Sequence, residues 1–131
     1  MAKAKAPQIS DAEWEVMKLV WGRGPLVAAD VVESLAAQNR WSPRTVKTLL
    51  NRLVKKGALG YQVVGRHYVY RAQVTRDACV RRESSSFLSR VFNGSAAPAL
   101  VHFLEHEDLS PEEIERLRRI LDGAREQEGR P

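Results

Sequence analysis

Between Ser42 and Ala72 the residue pattern changes period once, and that change limits the chain to few architectures. Ser42 is a capping residue, Pro43 suits the first helical position and Gly57 suits a left-handed stop, so the segment between them is bounded as a helix. Along this helix Val46, Leu49, Leu50, Leu53 and Val54 share one arc, while Arg44, Lys47, Thr48, Asn51, Arg52 and Lys55 fall opposite. From Leu59 the pattern alternates instead. LGYQVVGRHYVYRAQV holds two runs rich in valine and tyrosine that meet at Val64-Gly65-Arg66, which predicts a β-hairpin with Arg66 near its tip.

Two helices precede this pair. Ser10 and Glu13 form a capping box, Ile9 is placed to staple onto Trp14, and the helix they open carries Trp14, Met17, Val20 and Trp21 on one side before Gly22, Gly24 and Pro25. Val31, Val32, Leu35 and Ala36 mark a second helix over 28–38, with Val27 a poor cap. Three short helices followed by a hairpin describe a winged helix-turn-helix, so the predicted class is mainly α with a small β-hairpin wing. The loop before the third helix lacks the glycine of the tightest such turns.

From Thr75 the pattern is helical again through Phe92, broken by Asn93, Gly94 and Ser95. A shorter helix follows in APALVHFLEH, and Ser110 with Glu113 forms a second capping box ahead of Ile114, Leu117 and Leu121, with Pro111 at the first position. The expected organisation is a winged-helix domain over 1–74, a helical domain over 75–123 and a frayed charged tail over 124–131. Helices this short with such thin apolar stripes rarely fold alone. A second copy is the economical partner, joined through Phe87, Leu88, Val91, Leu100, Leu104, Leu117 and Leu121.

Charge separates the two parts. Residues 1–74 hold 12 Lys or Arg against 5 Asp or Glu, a balance of +7, whereas residues 75–131 hold 9 against 11, a balance of −2. Ser34 to Arg76 contains nine basic residues and no acid, where a solvated surface would mix signs, so this block reads as a polyanion footprint. The polar start MAKAKAPQIS has no apolar signal core, and no run reaches the roughly 18 apolar residues of a membrane span. With Cys79 as the single cysteine, no internal disulfide forms, and the expectation is a cytoplasmic protein without membrane insertion.

The third helix therefore reads as a DNA-recognition helix, since the major groove of B-DNA admits one α-helix. Arg44, Thr45, Lys47, Thr48 and Asn51 occupy the half that such helices insert, where Arg or Lys reads guanine, Asn reads adenine and a Thr methyl meets thymine. Arg52, Lys55 and Lys56 are better placed for phosphates, as are Ser42 and the free amides at the helix start, and Arg66 reaches phosphate or the minor groove. The wing tyrosines Tyr61, Tyr68 and Tyr70 read as packing groups. The alternative use of the same face is a protein-interaction module for an acidic partner. His102-Phe-Leu-Glu105-His106 matches the H-x-x-E-H pattern of inverted zinc metallopeptidases, but a short helix in an acidic tail offers neither a third ligand nor a cleft. No paired carboxylates, Ser-His-Asp order or Gly-rich phosphate loop suggests an enzyme, and no catalytic residue, metal or cofactor is expected.

Taken in order, ISDAEWEVMKLVW, WSPRTVKTLLNRLVKKGAL, GRHYVYRAQV, SFLSRVFNGS and LSPEEIERLRRIL resemble the penicillinase-repressor family over Ile9 to Gly123. Those repressors control β-lactamase and methicillin-resistance genes, and copper-responsive relatives share the fold. The resemblance implies a winged-helix domain, a C-terminal helical dimerisation domain and repression by homodimers on palindromic operator DNA. In antibiotic-responsive members a sensor's signal leads to cleavage at an Asn-Phe bond, and the matching place here is His102-Phe103, the candidate position for a sensor-linked protease. The cysteine-rich copper motif of the other branch is absent from this tail.

Overall fold

The computed structural model describes residues 6–128; the first five residues of the polar N-terminal stretch and the last three of the charged tail lie outside the described residues. The order is α1 (Asp11–Arg23), β1 (Leu26–Val27), α2 (Ala28–Asn39), α3 (Pro43–Lys55), β2 (Leu59–Val64), β3 (His67–Ala72), α4 (Arg76–Phe92), α5 (Ala96–His106) and α6 (Pro111–Glu128). They fall into two compact units, Met1–Phe87 and Leu88–Pro131, and the first is a winged helix-turn-helix.

The helices of the first unit begin and end where their capping chemistry directs. The Ser10 hydroxyl accepts from the Glu13 amide at 3.2 Å and the Ser10 amide donates to the Glu13 carboxylate at 2.8 Å, closing the expected box. Gly22 lies inside α1, and Gly24, at φ +82°, makes the stop by donating its amide to the Val20 carbonyl. Val27 caps α2 without a side-chain bond; the chain entering that helix is instead held as β1, which pairs Leu26 with Tyr70 and Val27 with Val69. The turn into α3 uses Arg40 at φ +57° in the place glycine usually takes.

In the sheet β3 lies between β1 and β2. The hairpin runs from Leu59 opposite Ala72 to Val64 opposite His67, so its loop is Gly65-Arg66. Gly65 takes φ +62° at the first loop position, as a type II′ turn requires.

On α3, Val46, Leu49, Leu50 and Leu53 are buried in a core shared with Val16, Met17 and Val20 of α1, Val31 and Leu35 of α2, and Leu59 and Tyr70 of the sheet. Each fully buried aliphatic side chain contributes roughly 1.5–3 kcal/mol, enough that α3 is fixed by packing rather than propensity. Trp21 ties α1 to the end of the hairpin by donating its indole N–H to the Val74 carbonyl at 3.0 Å. Val74 and Cys79 also belong to this core, and burial pushes the Cys79 thiol above its ordinary range. The first unit consequently continues into α4, past the break that the sequence suggests near Val74.

In the second unit Asn93 at φ +53° and Gly94 at φ +83° end α4, with the Gly94 amide donating to the Leu88 carbonyl at 2.8 Å. The Ser110–Glu113 box starts α6 as expected. The tail expected to fray from residue 124 is instead helical to Glu128: Gly123 lowers helix stability by about 1 kcal/mol, which the good formers in Ala124–Glu128 tolerate. Among the described residues of this unit, Ala99 alone is buried.

Candidate nucleic-acid interface

With its apolar arc in the core, α3 presents Arg44, Thr45, Lys47, Thr48, Asn51, Arg52 and Lys55 to solvent, the set expected from the sequence. Its start is fixed by Ser42, whose hydroxyl accepts from the Thr45 amide at 3.2 Å and lies 3.1 Å from the Thr45 hydroxyl. One turn on, the Thr48 hydroxyl donates to the Arg44 carbonyl at 3.0 Å, which commits its proton and leaves its methyl for apolar contact. The helix start and two of its hydroxyls are thus pre-organised before anything binds.

Among the described residues no carboxylate pairs with Arg44, Lys47, Arg52, Lys55 or Arg66. Lys56, expected among the phosphate contacts, also has partners inside the fold. Its ammonium bonds the buried Glu13 carboxylate at 2.5 Å and the Gln8 carbonyl at 2.9 Å, because the end of α3 packs beside the start of α1. Burial raises the Glu13 pKa, but the bonds from Lys56 and Ser10 outweigh it and hold the carboxyl below its ordinary value. The sequence signal for Glu13 was its place in a capping box; its pairing with a residue 43 positions away left none.

The wing completes the face. Arg66 sits in the exposed hairpin loop, and with His67 and Tyr68 it lines a groove of about 650 Å³ whose other side includes Lys47 and Asn51 of α3. Tyr70 is buried, as a packing residue should be. Tyr61 and Tyr68 are about half exposed and lie against each other, with ring centroids 5.2 Å apart. The groove's remaining wall, with Val27, Ala28 and Val32, depends on β1, which two residues could not announce by periodicity.

The apolar positions assigned to self-association remain largely uncovered within one chain. Val91, Leu100, Leu104 and Leu121 are 46–57% exposed, and Phe87, Leu88 and Leu117 are half-buried. Val101, Phe103, Ile114 and Ile120 extend the exposed set beyond the seven positions assigned to self-association. His102 and His106 are exposed on α5 and stack at 4.3 Å, with the His106 Nδ1–H donating to the His102 carbonyl at 2.8 Å. Among the described residues no group of three His, Cys, Asp or Glu side chains converges to hold a metal. No described helix is long and apolar enough to cross a membrane.

The sequence profile of a family described as penicillinase repressor matches residues 9–123. The penicillinase repressor of Bacillus licheniformis is 42% identical over 118 residues, covering 90% of this chain and 92% of that one. The methicillin resistance regulatory protein MecI of Staphylococcus aureus is 36% identical over 118 residues, covering 90% of this chain and 96% of its own. In structure, the monomeric form of Bacillus licheniformis BlaI in complex with the blaP half-operator superposes with a TM-score of 0.51 at 43% identity, over 56% of this chain and 90% of that one. With the capped basic α3, the Gly-Arg wing tip and all of α5 lying within the matched span, the chain belongs to the penicillinase repressor family.

Proposed function

We infer that this chain is a cytoplasmic transcriptional repressor that binds operator DNA. The observation that carries this reading is the exposed face of α3, rich in unpaired cations and free of acid, continued across the groove by Arg66. Its relative BlaI, in complex with a half-operator, shares 43% identity over 56% of this chain. Arg44, Lys47, Thr48 and Asn51 read base edges in the major groove. Arg52 and Lys55 hold phosphates, the start of α3 at Ser42 and Thr45 receives another, and Arg66 lies on the backbone or in the minor groove. Lys56 is left out of this set, because its ammonium serves Glu13.

Two copies associate through α5, α6 and the end of α4, and a symmetric dimer reads a palindrome. The support is energetic: a unit with Ala99 alone buried among its described residues leaves its leucines and valines in water unless another surface covers them. Inactivation by a sensor-linked protease at His102-Phe103 acts on α5, inside that surface.

The experiment is selection of duplexes from a random pool by the full chain, followed by electrophoretic shift at several salt concentrations. The reading requires an enriched, two-fold symmetric site and an affinity that falls steeply with salt. A protein-interaction module would enrich no sequence.

A further inference from the structure

We propose that the groove between the start of α2, α3 and the wing binds a small amphipathic anion, a carboxylate on an aromatic or branched apolar body, and that its occupancy opposes DNA binding. The binding half of this proposal stands on the groove itself; only the regulatory half rests on the DNA-binding reading above.

The groove holds about 650 Å³, inside the range of roughly 300–1,000 Å³ that small-molecule sites occupy. Val27, Ala28 and Val32 line one side of it and Tyr68 and Tyr70 another. A sugar–phosphate backbone is polar and gains little from such walls, so contact with DNA alone does not account for them. An aromatic or branched body does gain from them, and Tyr68, 51% exposed, offers a ring for it to lie against.

The charge of the occupant follows from what surrounds these walls. Lys47 and Arg66 both line the groove, no carboxylate pairs with either among the described residues, and no Asp or Glu belongs to the lining. Asp30 already places a carboxylate in the first turn of α2, so the charge that selects the occupant is that of Lys47 and Arg66. A carboxylate seated there neutralises Lys47 and Arg66, the same groups through which α3 and the wing would hold DNA. The two ligands therefore exclude each other, and each weakens the other's binding by the same factor.

The test uses the full chain, labelled with nitrogen-15 and titrated separately with 2-naphthoate, its neutral analogue 2-naphthylmethanol, and inorganic phosphate, while amide shifts are followed. With 2-naphthoate, saturable shifts are expected at Ala28, Ala29, Lys47 and 66–68. The alcohol and phosphate should each bind about tenfold more weakly or less, since one lacks the charge and the other the apolar body. Lys47→Ala and Arg66→Ala should each weaken 2-naphthoate about tenfold, and so should Ala29→Glu, which adds a carboxylate at an exposed first-turn position that favours the helix. Equal binding of the alcohol, equal binding of phosphate, or shifts confined to residues 88–128 would each overturn the site. A duplex selected by the chain then separates the two claims. If 2-naphthoate shifts the groove and the chain binds no duplex, the DNA-binding reading falls while the site stands. If duplex binds and the groove does not respond, the site falls. Duplex affinity unchanged at saturating 2-naphthoate overturns the regulatory half.

Discussion

The ammonium of Lys56, which follows α3, closes to 2.5 Å on the carboxylate of Glu13 in α1, a group only 1% exposed. The pair fastens the end of α3 to the start of α1, and it makes Lys56 and its neighbour Lys55 chemically unlike. Lys56→Ala should therefore act on stability: leaving the Glu13 carboxylate buried and unpaired costs about 1–3 kcal/mol, at the low end of buried pairs because the Lys56 side chain is one-third exposed. Urea unfolding at neutral pH measures this, and adding Glu13→Gln to the Lys56→Ala chain should recover part of the loss. An unchanged midpoint in Lys56→Ala would remove the pair from the account.

The same carboxylate predicts a pH dependence. Because folding lowers the Glu13 pKa, its contribution is fully present above the ordinary carboxyl value of 4.5 and is lost as pH falls through the lower folded value. Unfolding curves should show native stability dropping below about pH 4.5, with a smaller drop in Glu13→Gln than in the parent chain. Identical acid profiles would assign the acid loss to other groups.

Arg40 offers a prediction of opposite sign. It sits in the left-handed region at φ +57° at the end of α2, where an L side chain is strained and glycine is not. Arg40→Gly should raise stability by about 0.5–1 kcal/mol, the relief of strain exceeding the entropy glycine adds to the unfolded chain. A thermal midpoint lower than the parent's would show that the Arg40 side chain contributes more than its backbone conformation costs.

Much of this was legible before any coordinates. The arc of α3, its Ser42-Pro43 start and its Gly57 stop are written in short-range chemistry, and so are both capping boxes and the Gly65 hairpin. What stayed hidden depends on groups distant in sequence or too short to have a period. Leu26–Val27 form a strand only because Tyr70 and Val69 pair with them, and the groove wall they bring was hidden with them. Lys56 looked like one more cation of an acid-free block, since the acid that claims it lies far upstream. That the first compact unit runs on to Phe87 was equally hidden, because Cys79 gives no sign, in sequence, of which core it joins.

Self-association yields the next expectation. A chain ended after Phe87 retains Val74 and Cys79 in its core and should stay folded, but it should sediment as a monomer at concentrations where the full chain should sediment as a dimer. Its operator affinity should fall as well, because each half-site is then held without the high effective concentration that linkage provides. A full-length monomer at micromolar concentration would contradict the dimer.

Breaking α5 should have the same effect. A protease site placed between His102 and Phe103, in a variant first checked for dimerisation and binding, should on cutting dissolve the dimer and release DNA, since it detaches Leu104, Leu117 and Leu121 from the reader. Retained dimer and operator affinity after complete cutting would disconnect the helical unit from repression.

The claim that α3 reads sequence while its neighbouring cations supply affinity is tested most directly by measuring base preference and salt slope together on a selected operator. Arg44→Ala, Thr48→Ala and Asn51→Ala should each relax preference at one defined position, at a cost of about 1–3 kcal/mol for a good contact. Lys55→Ala should weaken all sequences alike and flatten the salt slope by about one, and Lys56→Ala should leave that slope as it was. If the first four variants kept the parent's base profile and salt slope, α3 would not be the reader.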